Sequence, residues 1–381
     1  RSSDLSGLNG LRAIAFLIVF GIHIDSLQFG WMGVQLFFVL SGFLITDILL
    51  RMKESLPLGK YLYTFYVRRI LRIFPLYYFF LFLMFGVSIW FLSIPYRPGM
   101  MEVLQEQIPY AFLYVYDFFF TLKDYQASPF FDHLWSLSVE EQFYLIWPLL
   151  IYLTPEKLLR KMFLAGIVVG PLFRVAFFFA YQAGLSAYFR EPVSAALYPF
   201  PFTHVDAFAL GAYISRFPIP HAKKQLIWLG ILLPVIGFAS EYLYVGELGR
   251  LSSLGYPVAL PNAYQFLWAY TIINYWFALL IYCVVNEKLF VPFLEIPLLQ
   301  YLGKISYGLY VYHLPMIWFA GRLNDVPGVG SVSRPLSYLI AFAATLLLSS
   351  ISYHLLEEPL IRLKDRVAGY SREAEHLVST R

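Results

Sequence analysis

Apolar runs separated by short polar clusters dominate this chain, and most approach the roughly 20 residues a helix needs to cross the hydrocarbon core of a bilayer. Runs at residues 8–24, 31–50, 72–94, 139–153, 162–182, 204–215, 225–245, 264–285, 306–321 and 336–356 predict ten transmembrane helices. An eleventh run, residues 108–122, is settled by charge. Segment 51–72 holds Arg51, Lys53, Lys60, Arg68, Arg69 and Arg72, which marks it as cytoplasmic by the positive-inside rule. The connectors with Lys157, Arg160, Lys161 and with Arg216, Lys223, Lys224 are basic too, as is the tail with Arg362, Lys364, Arg366 and Arg372. If 108–122 spanned, these later clusters would fall outside; if it is re-entrant or interfacial, they fall inside. Charge parity therefore predicts ten spans with both termini cytoplasmic.

Composition supports the membrane assignment: 59% of residues are hydrophobic and 14% charged, against roughly 25% charged in a soluble domain. The expected fold class is all-α, a polytopic transmembrane helix bundle. No linker rich in Gly, Ser or Pro interrupts it, so residues 1–381 read as a single membrane domain with no fused soluble domain. The chain opens on Arg1 rather than methionine, so its numbering is expected to start inside a longer polypeptide. The first apolar run resembles a signal-peptide core but lacks a small-residue cleavage site. The one cysteine, Cys283, excludes an intramolecular disulfide framework and a Cys-based metal site, and its apolar surroundings predict an inert buried thiol. A net charge of +4 is too small to imply a nucleic-acid partner. No metal triad, nucleophile elbow, P-loop or dinucleotide fingerprint is present, so no metal is expected.

Candidate chemistry lies where ionisable groups enter apolar sequence, because such groups are costly at membrane depth. Glu140 and Glu141 run straight into Gln142-Phe143-Tyr144-Leu145-Ile146-Trp147, either as functional carboxylates or as acids at the headgroup level of a helix start. Arg12 and His23, eleven residues and three helical turns apart, share one face of the first helix. A neutral imidazole is the commonest general base, and a carboxylate, here Glu140 or Glu141, would orient it; a hydrogen-bonded core histidine is the plainer alternative. Arg68, Arg69 and Arg72 sit at helical spacing, where guanidinium groups recognise phosphate bidentately, though topology alone also demands basic residues at an inner helix end. On the predicted topology the histidine and glutamates lie toward the outer side and this arginine cluster at the inner mouth, with Pro75 allowing a kink. Arg174, mid-span, needs an acid from a neighbouring helix; His204 with Asp206, and His313 with Tyr307, Tyr310 and Tyr312, are further polar groups without an assigned role. Gly30, Gly33 and Gly42 are expected to permit close helix packing, and Ser136 and Ser138, after His133, to cap a helix. These groups suit two classes of function: covalent group transfer, or an intramembrane proton- or anion-coupled transporter, the latter disfavoured by the absence of internal repeats.

The segments GLNGLRAIAFLIVFGIH, GWMGVQLFFVLSGFLIT, YVRRILRIFPLYYF, HLWSLSVEEQFYLIWPLL, YLGKISYGLYVYHLPM and LLEEPLIR resemble, in order and over nearly the whole chain, the acyltransferase-3 family of integral membrane O-acyltransferases. The resemblance implies ten transmembrane helices, an acyl-CoA donor, expected to be acetyl-CoA, taken from the cytoplasm, and O-acylation of an acceptor, often an extracytoplasmic glycan, in a bacterial cytoplasmic membrane. By motif, His23 matches the family's essential histidine, Arg12 the arginine upstream of it, Arg69 and Arg72 the arginine pair, and Glu140 with Glu141 the acidic VEEQFY position. Where relatives commonly carry an arginine two residues before the sixth-span aspartate, this chain has His204 before Asp206. Some members add an esterase-like domain; this sequence stops at Arg381 without one, so any second step is expected to need another protein.

Overall fold

The computed structural model of the protein describes residues 7–367, and within them the apolar runs are helical and no β-strand forms. Arg372 of the basic tail lies outside the described residues. In chain order the helices are α1 (Leu8–His23), α2 (Met32–Ser55), α3 (Leu58–Ser93), α4 (Pro98–Phe112), α5 (Tyr116–Thr121), α6 (Leu134–Leu153), α7 (Glu156–Gln182) and α8 (Val193–Leu197). They continue as α9 (Val205–Arg216), α10 (Ala222–Val245), α11 (Gln265–Asn286), α12 (Val291–Leu294), α13 (Pro297–Lys304), α14 (Ser306–Ala320), α15 (Arg334–Ser352) and α16 (Glu358–Val367). A π-helical turn, Tyr353–Glu357, joins the last two.

Six segments of the described residues are long and apolar enough to cross a membrane: Gln28–Ser55, Leu58–Ser93, Glu156–Gln182, Ala222–Val245, Gln265–Asn286 and Arg334–Leu363. The other four expected spans correspond to α1, α6, α9 and α14, which do not meet that measure. Helix α9 has 12 residues, about 18 Å at 1.5 Å per residue, well short of a core roughly 30 Å thick. The reason lies in position within the bundle. Helices α1, α9 and α14 bury most of their residues against neighbours, so they need no lipid-facing apolar girdle and tolerate polar groups. The outermost helices show the reverse: only 22% of the most apolar stretch of Glu156–Gln182 is buried, against 67% of that of Gln28–Ser55.

Two expected boundaries shift. Segment 51–72 is not a loop, since α2 runs to Ser55 and α3 starts at Leu58, continuing unbroken through Pro75 for 36 residues. Segment 108–122 is broken between α4 and α5, with Tyr114 at φ 53°, so it forms no continuous span.

The inner helices approach closely where glycine allows it. A Cβ on Gly33 would stand 2.4 Å from the carbonyl oxygen of Ala15, and one on Gly42 would stand 2.2 Å from that of Phe208. These contacts clamp α2 against α1 on one side and α9 on the other. Stripping side chains from such a contact lets two backbones pack where lipid provides no hydrophobic force between helices.

Candidate active site

Helix α6 is set in register by bonds to its own backbone carbonyls. Lys53 of α2 donates to the carbonyls of Ile151 (2.8 Å) and Thr154 at its end, where a cation also complements the helix dipole. Tyr61 and Tyr66 of α3 donate to the carbonyls of Pro148 and Leu145, at 3.0 and 2.8 Å. Ser136 and Ser138 do not cap the helix; they donate to the carbonyls of His133 and Leu134, inside the first turns.

This register puts Glu140 and Glu141 about two turns into α6, on the wall of a cavity of about 290 Å³ among α1, α2, α3, α6 and α14. Arg12, Arg69 and Arg72 line the same cavity. Three guanidinium groups and two carboxylates thus share one space, and Arg72, Arg69 and Glu140 all act electrostatically on Arg12. Glu140 accepts hydrogen bonds from Ser41 and Tyr144, and the Arg69 guanidinium lies 5.0 Å over the Tyr144 ring, an ordinary cation–π distance. Arg12 donates to Asn9 at 3.1 Å.

Two expectations change here. Arg68 does not line the cavity, whereas its neighbour Arg69 does, because adjacent helical residues point about 100° apart. The glutamates stand with the arginines rather than beside His23, and neither is hydrogen-bonded to that histidine; the turns between His133 and Glu140 carry them deeper than the helix start that sequence suggested.

What stands beside His23 is a second and a third histidine. His23 Nδ1 lies 2.9 Å from the Val19 carbonyl oxygen and 3.2 Å from His313 Nε2. His313 Nδ1 lies 2.6 Å from the Tyr310 carbonyl, and His133 Nε2 lies 3.0 Å from that of Val311. Ring centroids are 4.8 Å apart for His23 and His313 and 5.1 Å for His133 and His313. His133 and His313 are buried and His23 is exposed. Among the described residues no group of three or more His, Cys, Asp or Glu could hold a metal ion. The cavity and the histidines meet at Ser136 and Tyr310: both line the cavity, their hydroxyls are 2.5 Å apart, and Tyr310 donates to the His133 carbonyl. Sequence gave His133 and His313 no role; their signal was only that each is ionisable within apolar sequence.

The remaining buried charges form a separate network. Arg174 finds the acid expected of a neighbouring helix: its Nη2 is 3.0 Å from Asp206 Oδ2, with both side chains fully buried. It also donates to the carbonyls of Thr203 (2.7 Å) and Leu267 (3.2 Å) and to the Thr271 hydroxyl. His204 Nε2 donates to the Tyr198 carbonyl at 2.8 Å, so its Nδ1 accepts from Gln35 at 3.1 Å. This network ties α7, α9 and α11 together and lines no part of the arginine cavity. Cys283 is buried, as its surroundings suggested.

A family model described as an acyltransferase domain matches residues 5–354. The chain belongs to the acyltransferase-3 family. That membership places it among acyltransferases and displaces the transporter reading. Similar proteins include the O-acetyltransferase OatA of Staphylococcus aureus, 27% identical over 371 residues covering 93% of this chain and 57% of the relative. The peptidoglycan O-acetyltransferase OatA of Listeria monocytogenes and the putative peptidoglycan O-acetyltransferase YrhL of Bacillus subtilis are each 26% identical, covering 93% of this chain and 55% of their own length. This acyltransferase-3 chain thus spans little more than half the length of these curated relatives. No solved structure matches it.

Proposed function

We propose that this protein is an integral membrane O-acetyltransferase, moving an acetyl group from acetyl-CoA to a hydroxyl of a cell-envelope glycan in a bacterial cytoplasmic membrane. The observation that carries this reading is one cavity that combines Arg12, Arg69 and Arg72 and abuts, through Ser136 and Tyr310, the cluster containing His23. Arg69 and Arg72 suit the phosphates of CoA, because guanidinium groups bind phosphate through paired, charge-assisted hydrogen bonds. Arg12 and His23 are about 16 Å apart along α1, a separation that an extended pantetheine arm spans. The basic residues of α2 and α3 favour a cytoplasmic arginine end, which gives an outward-facing His23 and cytoplasmic termini. The names of the relatives make peptidoglycan the first acceptor to test.

In this reading His23 Nε2, which has no hydrogen-bond partner among the described residues, takes the proton of the acceptor hydroxyl as the oxygen attacks the thioester carbonyl. The C–O bond forms, the C–S bond breaks, and the departing thiolate collects the proton from His23. Glu140, held by Ser41 and Tyr144, balances the arginines and fixes the Tyr144 ring under Arg69. The test uses purified protein in lipid nanodiscs with radiolabelled acetyl-CoA and soluble peptidoglycan fragments. His23→Ala is expected to abolish transfer while unfolding at the wild-type temperature; retained transfer would remove His23 from the chemistry.

A further inference from the structure

We propose that His313 is a positioning residue that holds His23 in the single tautomer able to act as a base at Nε2. This deepens the proposed function and rests on its assignment of His23. A carbonyl oxygen only accepts, so a ring nitrogen within hydrogen-bond distance of one carries the proton. The Tyr310 carbonyl, 2.6 Å away, puts the His313 proton on Nδ1 and leaves its Nε2 bare. That bare Nε2 faces His23 Nδ1 at 3.2 Å, while the Val19 carbonyl faces the same Nδ1 at 2.9 Å. Both neighbours of His23 Nδ1 are therefore acceptors, and the nitrogen carries a proton shared between them. The lone pair of His23 then sits on Nε2, on an exposed ring whose contacts among the described residues are both at Nδ1.

The arrangement does with a neutral imidazole what a carboxylate does behind the histidine of a serine hydrolase: it selects the tautomer, fixes the ring plane and accepts from the imidazolium that forms. A neutral partner suits this depth, since His313 is fully buried and a carboxylate there would carry a desolvation cost. Its ring is in turn held edge-on by Phe16, with centroids 6.0 Å apart. His133 stands behind it with its proton on Nε2, donated to Val311, and with a buried Nδ1 that has no partner. The three rings thus offer bare nitrogens rather than protons to one another, apart from the one shared between His23 and His313.

The test has an arm independent of activity. Nitrogen-15 NMR of histidine-labelled protein in nanodiscs is expected to show the His23 resonance, assigned by its loss in His23→Ala, as the Nδ1–H tautomer. In His313→Phe, which keeps a ring of similar size, His23 Nδ1 keeps only the Val19 carbonyl, which it reaches in one ring rotamer, so the single Nδ1–H signature is expected to give way to a mixture of tautomers, and kcat for acetyl transfer from acetyl-CoA to peptidoglycan fragments to fall at least about tenfold with KM for acetyl-CoA unchanged. His313→Gln, whose amide oxygen accepts at the position of Nε2, is expected to recover most of the loss. A single Nδ1–H tautomer persisting in His313→Phe, or kcat unchanged in that variant, would overturn the proposal even with His23→Ala inactive. If His23→Ala retains transfer, the functional reading fails, while the tautomer measurement still decides the geometry.

Discussion

Replacing Arg174 by methionine removes a buried charge while keeping an unbranched side chain, which makes the Arg174–Asp206 pair the most direct test of how this bundle is held together. The variant loses four hydrogen bonds, to Asp206, Thr271 and the carbonyls of Thr203 and Leu267. Asp206 retains Thr271 and, at 3.3 Å, Asn274, but its charge has no counterion in a site closed to water. Breaking a fully buried pair by removing one partner costs about 3–5 kcal/mol, mostly from the charge left behind. At roughly 2 cal/mol/K of unfolding entropy per residue, that lowers the thermal midpoint by about 5 °C. Substituting Asp206→Asn in the same chain removes the stranded charge and keeps one amide oxygen to accept from Thr271 or Asn274, which now bond to separate carboxylate oxygens. The double variant is therefore expected to recover at least half the loss, about 2 kcal/mol. Cys283 supplies the assay, since it is the one thiol in the sequence and is fully buried. Its labelling by a thiol-reactive dye during a temperature ramp in mild detergent reports unfolding. An Arg174→Met midpoint within 1 °C of wild type, or a double variant no better than the single, would refute the reasoning.

Three further outcomes are expected. Arg69→Ala and Arg72→Ala each raise KM for acetyl-CoA about tenfold or more, the loss of one charge-assisted bond of about 1.5–3 kcal/mol, whereas Arg68→Ala, off the cavity wall, changes it less than about twofold; initial rates against donor concentration separate them. Gly42→Ala destabilises by about 2 kcal/mol because its Cβ would press on the Phe208 carbonyl, while Gly86→Ala, which meets nothing within 4 Å, is neutral or stabilising by about 0.5 kcal/mol in the same thermal assay. Asp117, on the short non-spanning helix α5, is pushed up to about 7 by burial despite a 2.8 Å hydrogen bond from Gln142. Its carboxyl keeps a proton that the unfolded chain releases near pH 4, so the stability it contributes is present in acid and is lost as pH rises toward 7; Asp117→Asn is expected to flatten that part of a midpoint-against-pH curve.

Much of the helical content and the chemical inventory were legible in the linear chain. Apolar runs reflect the cost of unpaired backbone in lipid, which depends on local composition. Ionisable residues inside such runs are conspicuous for the same reason, so Arg12, His23, Arg69, Arg72, Glu140 and Glu141 stood out before any geometry was known, and so did the need of Arg174 for an acid. Gly33 and Gly42 likewise pointed to close helix crossings, because a missing side chain is itself a local fact.

Only the tertiary structure decided how these groups are grouped. Whether a helix faces lipid or other helices is a property of its neighbours, so α9 reads as a span by hydropathy and proves to be a short, buried inner helix. Glu140 or Glu141 was expected beside His23, and both stand instead with Arg12, Arg69 and Arg72, because the depth at which α6 is anchored depends on bonds from Lys53, Tyr61 and Tyr66 on other helices. His313 lies 290 residues from His23 in the chain, and no periodicity links them; the 3.2 Å between their nitrogens exists because α1 and α14 pack side by side. Side-chain type is written in the sequence, whereas the partner that selects a tautomer or balances a charge is set by the packing of elements distant along the chain.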